Sequence, residues 1–144
     1  MTVRTHPNRL GLRGWIGGRN AGFERWLYLL HRISGLGLVA YFVMHIFVTS
    51  ARVLGPASWD QAMAAVSGPV FAIGEYLVFA AFAFHALNGI RLHFIELGFG
   101  IGRPIEPIYP YATSVGRQRW LAMAVLVVAF VIVVFGGYDF FIAG

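Results

Sequence analysis

No cysteine and no lysine occur among the 144 residues. The first absence excludes iron–sulfur ligation, disulfides and thiolate metal sites within this chain. The second leaves arginine to carry all 11 basic charges. Charged residues of both signs make up only 12% of the chain against 58% hydrophobic, and the mean hydropathy is +0.70. That balance excludes a soluble domain of ordinary composition. A glycine-rich dinucleotide fingerprint is also missing, so flavin or nicotinamide chemistry is not expected here. There is no signal-peptide layout: the first apolar run starts late and no small-residue cleavage site ends it. The chain is therefore expected to insert through its own first span. No internal repeat is visible.

What is present is long apolar runs. A membrane-crossing helix needs about 20 mostly apolar residues. Three stretches qualify, at residues 27–51, 69–95 and 119–141. They predict a membrane all-α fold with three transmembrane helices, since lipid permits little else for segments of this length. Residues 1–25, rich in Gly and Arg, read as an N-terminal arm at the inner membrane surface. Residues 26–144 read as a three-helix membrane anchor, with no room for a separate soluble domain. The outer connection carries a turn at Gly55-Pro56 and a brief helix near 58–65. Pro69 suits the first turn of the second span. The inner connection contains Pro107 and Pro110, which prevent regular helix.

The arginines set an orientation. Arg4, Arg9, Arg13, Arg19, Arg25 and Arg32 precede or open span one. Arg91, Arg103, Arg117 and Arg119 flank the connection between spans two and three, and Arg52 alone sits in the other loop. An excess of Arg on the cytoplasmic side places the N-terminus in the cytoplasm and the C-terminus outside. The expected location is the inner (cytoplasmic) cell membrane, crossed several times. The pI of about 10.2 follows from this asymmetry. No nucleic-acid partner is expected, because a basic face on a soluble module is missing.

Against this apolar background, ionisable groups inside the spans are costly and mark function. His45 lies about 25 Å down span one from an inner boundary set at Tyr28, at about 1.5 Å per residue. His85 lies about 14 Å from an inner boundary at Phe94 by the same rise. A neutral imidazole bonding a neighbouring helix explains one such residue. The alternative is a haem iron ligand, a common role for neutral imidazole in helix bundles. The two depths differ by about 11 Å. Two axial nitrogens on one iron are about 4 Å apart, from bonds of about 2 Å. His45 and His85 are thus not expected to share a haem. Span three has no His, so each opposing ligand must come from another chain. The fold expected is half of a haem-binding helix bundle, completed by a partner subunit.

His31, Arg32, Arg91 and His93 lie near the inner interface. Anchoring by snorkelling Arg is the plain reading. A rim for haem propionates or a quinone head is the functional one, since the guanidinium fork suits carboxylates. Ser34 shares the helix face of His31 and adds a hydroxyl. Gly35, Gly37 and Gly89 serve either close helix packing or room for a flat macrocycle. Glu75 is the carboxylate of span two and reads as interfacial.

WLYLLHRISGLG in span one and FHALNGIRLHF in span two resemble the cytochrome b membrane-anchor subunit of succinate dehydrogenase, the succinate:quinone oxidoreductase of respiratory complex II. The match covers about residues 25–96 and the three-span layout. It implies that His85 is an axial ligand of the inner haem b, and that His45 resembles in placement the ligand of an outer one. It implies two haems b shared with a second membrane-anchor subunit, and a quinone site at Tyr28, His31, Arg32 and Ser34. His31, Arg91 and His93 would line the haem propionates. Tyr28 stands where the family has a serine, and GIRLH replaces the family's GIRH, which turns His93 by about 100° around the helix. The resemblance further implies an iron–sulfur subunit and a flavoprotein subunit as partners beside the lipid bilayer. Quinone is the substrate, with menaquinone one candidate. A fumarate reductase anchor has the same architecture. From a different class, a small membrane assembly or transport protein without cofactor remains the rival.

Overall fold

The computed structural model describes residues 22–101 and 114–143. Residues 1–21 of the proposed arm, and Arg103 in the inner connection, lie outside the described residues. Helix α1 spans Phe23–Ser50 and ends in a 3-10 turn at Ala51–Leu54. Helix α2, Pro56–Ala65, is short. Helix α3 runs Pro69–Glu96. A 3-10 turn at Ser114–Gln118 leads into α4, Arg119–Tyr138, which closes in a π-helical turn at Asp139–Ala143.

Helices α1, α3 and α4 are each long and apolar enough to cross a membrane. The starts of α2 and α3 use one device. Gly55 (φ 106°) and Gly68 (φ 111°) adopt a backbone that residues with a Cβ rarely take. Each is followed by a proline at the first helical position, where a missing N–H costs nothing. The expected brief helix thus begins at Pro56, directly behind its glycine.

Helix α3 lies between α1 and α4 and packs against both. The interior is thin: Leu27, Leu29, Leu38, Ala83, Ala122 and Ala129 are its buried apolar residues. Small residues dominate where α3 meets α4, as expected where lipid offers no hydrophobic gain and packing must come from close approach. Toward the start of α3, Gly136 and Gly137 admit the rings of Phe79 and Tyr76. The Tyr76 hydroxyl donates to the Val133 carbonyl at 3.0 Å. At the other end Arg119 donates twice to Glu24, tying the starts of α4 and α1 together. Most large apolar side chains stay exposed, Leu36, Phe47 and Phe135 among them.

Candidate functional site

Helices α1 and α3 bring His31 and His85 face to face. Their rings stack at 4.0 Å between centroids and 5° from parallel. The boundaries assumed from sequence separated the two by about 9 Å along the membrane normal. Helix α1 starts at Phe23, four residues before the span expected there, and α3 continues to Glu96. Both ends extend toward the same end of the bundle, and the levels converge.

The His85 Nδ1 lies 3.0 Å from the His31 carbonyl oxygen and 3.1 Å from Ser34 Oγ. Ser34 Oγ donates to the same carbonyl at 3.0 Å. His31 Nδ1 is buried with no hydrogen-bond partner among the described residues. His31, Arg32, Gly35, Leu36, Val39 and His85 line an open groove of about 470 Å³. Tyr28 sits one turn before Arg32, and Arg32 Nη1 donates to its hydroxyl at 2.8 Å. The guanidinium also lies 5.3 Å from the Tyr28 ring centroid, within cation–π reach. The sequence-derived set Tyr28, His31, Arg32 and Ser34 therefore divides. Ser34 and His31 turn toward His85, whereas Tyr28 and Arg32 form an exposed pair at the edge.

Arg91 is elsewhere. Only 4% exposed, it donates through Nε to Asn88 Oδ1 at 2.9 Å and through Nη1 to Gln118 Oε1. Asn88 is fully buried and its Nδ2 has no partner among the described residues. This network joins α3 to the turn before α4. It does not line the groove, and neither does His93, which is exposed. Sequence reasoning missed Asn88, although an asparagine one turn before an intramembrane arginine is a readable polar pair.

His45 is far from this cluster. Fourteen residues separate it from His31, or about 21 Å of helix axis. Since His31 touches His85, the same interval divides the two expected haem ligands, roughly twice the sequence-based separation. His45 stacks on Tyr41 at 5.5 Å between centroids. It lines a second cavity of about 210 Å³ together with Glu75, Gly74 and Val66. Among the described residues no group of three or more His, Cys, Asp or Glu could by itself enclose a metal ion.

The family described as succinate dehydrogenase/fumarate reductase transmembrane subunit matches residues 17–136, nearly the whole chain. The chain belongs to this family. It is 32% identical over 71 residues to the succinate dehydrogenase 2 membrane subunit SdhC of Mycobacterium tuberculosis, covering 49% of this chain and 52% of that one. It is 31% identical over 85 residues to the succinate dehydrogenase hydrophobic membrane anchor subunit of Halobacterium salinarum, covering 58% and 65% respectively. The chain thus spans between half and two thirds of the length of these relatives. No solved structure matches it. As a member of the succinate dehydrogenase/fumarate reductase transmembrane family, it has the all-helical, three-span architecture that its composition demands.

Proposed function

We propose that this chain is a membrane anchor of a succinate:quinone oxidoreductase. It would sit in the cytoplasmic membrane with its N-terminus inside, hold haem b jointly with a second anchor subunit and form part of a quinone-reduction site. The observation that carries this reading is the single groove shared by His31, Arg32 and His85, in a chain of the matching family.

The residues would fit a haem held by His85 on three counts. His85 has its Nδ1 occupied, and no hydrogen bond among the described residues engages its Nε2. Gly35 lets the imidazole come close against α1, since a Cβ there would lie 2.7 Å from His85 Cε1. The groove is open on one side, as a partner-completed site requires. His85 would hold the inner haem and His45 an outer one, with the opposing ligands supplied by the second anchor. When bound, haem b supplies a one-electron redox centre within the membrane.

The chain's own residues act on quinone. Reducing quinone to quinol takes two electrons and two protons, and negative charge develops on its carbonyl oxygens. Electrons would come from an iron–sulfur subunit docked on the inner face, itself fed by a flavoprotein subunit. The Arg32 guanidinium provides fixed positive charge at the groove edge. Because Tyr28 accepts from Arg32, its own hydroxyl proton is left to point outward as a donor. The buried, unpartnered His31 Nδ1 offers a further polar contact. Arg91 is turned away into its own network, so its part is to hold α3 against α4 rather than to bind propionate. A fumarate reductase anchor would use the same groove, since direction depends on the potentials of quinone and cofactors.

An oxidised-minus-reduced visible spectrum of the intact complex tests the reading. The wild-type complex should show a haem b band, and His85→Ala should lose the inner haem. A colourless, fully assembled wild-type complex would favour the cofactor-free rival.

A further inference from the structure

The geometry points to a tautomer lock: the main-chain carbonyl of His31, exposed by the missing side chain at Gly35, holds His85 with its proton on Nδ1. This deepens the proposed function, and its consequence for iron binding rests on that reading. The lock itself rests only on the contacts between α1 and α3.

A carbonyl oxygen can only accept. At 3.0 Å, the His31 oxygen and the His85 Nδ1 form a hydrogen bond only when Nδ1 carries the proton. The oxygen has two lone pairs: one serves its own helix, and the His85 Nδ1–H and the Ser34 hydroxyl share the other. Ser34 Oγ also donates to it at 3.0 Å, which leaves the oxygen lone pairs of Ser34 facing the Nδ1–H at 3.1 Å. In the other tautomer, Ser34 would have to turn its proton to Nδ1. The bare Nδ1 would then face the carbonyl lone pairs at contact distance. One arrangement makes two bonds that share an acceptor, without repulsion; the other makes one bond and a repulsion, and in a low-dielectric interior that difference is amplified.

Access to the carbonyl is what Gly35 provides. A Cβ there would lie 2.7 Å from His85 Cε1 and 3.3 Å from Nδ1, so any larger residue displaces the imidazole. Gly37, two positions on, meets nothing within 4 Å, so it has no comparable duty. The lock leaves Nε2 unprotonated before any metal arrives. That is the ligating form of imidazole, with the second nitrogen tied to a carbonyl. Gly35 is thus a positioning residue, acting through His85.

Nitrogen-15 NMR of the full chain, labelled at histidine, prepared without haem in lipid bilayers, reads the tautomer directly. His85 is assigned by its loss in His85→Gln. Wild type and Gly37→Ala should show one His85 form, protonated at Nδ1. Ser34→Ala should keep that form, because the carbonyl remains. Gly35→Ala should lose it, giving a mixture or the Nε2–H form. An Nε2–H ring in wild type overturns the proposal, even if Gly35→Ala does not fold. So does an unchanged Nδ1–H signal in a folded Gly35→Ala chain, which would reduce Gly35 to helix packing. An Nδ1–H wild-type ring in a chain that takes up no haem within its complex would sink the ligation reading and leave the lock standing.

Discussion

Tyr28 and Arg32 stand one helical turn apart, and the bond between them sets what each can do. Charge-assisted hydrogen bonds contribute about 1.5–3 kcal/mol, so losing one at the reaction centre costs roughly 10- to 100-fold in rate. Arg32→Ala should slow quinone reduction by that order, while dye reduction by the peripheral subunits continues at the wild-type rate. Tyr28→Phe keeps the ring and loses the donor, so a smaller fall of several-fold is expected in the same assay. Equal loss of both activities in Arg32→Ala would point to failed assembly. The residue types of this site were legible in the sequence because ionisable groups stand out in apolar runs. Their pairing was not. The stacking of His31 on His85 depends on where two helices begin and end, and apolar runs blur ends by several residues. The duty of Gly35 also depends on which residue faces it across the interface, and spacing on one helix carries no such information.

At the scale of helices, α3 is the hub, joined to its neighbours by opposite means at its two ends. Near its start it meets α4 through glycines, and a Cβ at Gly136 would overlap the Phe79 ring. Near its end it is tied to the turn before α4 through the buried chain Asn88–Arg91–Gln118. Removing one member of such a network leaves its partners desolvated and unpaired, at about 1–3 kcal/mol for each group stranded. Arg91→Ala should therefore lower the melting temperature of the solubilised complex by several degrees while retaining the haem b spectrum. Loss of haem at unchanged stability would instead return Arg91 to the rim of the groove. The three helices were legible from length and hydropathy alone, because a membrane interior forces that solution. The role of Arg91 was not. A sequence shows that an arginine is near the interface but not whether it turns outward to lipid phosphate or inward to Gln118.

Taken whole, the molecule has a thin interior: among the described residues, six buried apolar side chains serve three spans, and most large side chains face outward. Lipid covers some of that surface. The open groove at His85 and the exposed ring of His45 are where the proposed second anchor would meet this chain. The separation of about 21 Å between their levels means one site cannot stand in for the other. His45→Ala should remove about half of the haem and spare the inner half; full haem content in that variant would return His45 to packing against Tyr41. The expectation of a partner could be read from the sequence, since span three offers no imidazole. The cavity joining His45 to Glu75 could not, because it forms only where α1, α3 and the stretch after α2 converge. The central claim is that this chain supplies one axial imidazole to each of two haems. The ratio of haem to flavin in the purified, intact complex measures it most directly. Two haems per flavin is the expected result; a complex with full flavin and no haem would contradict it.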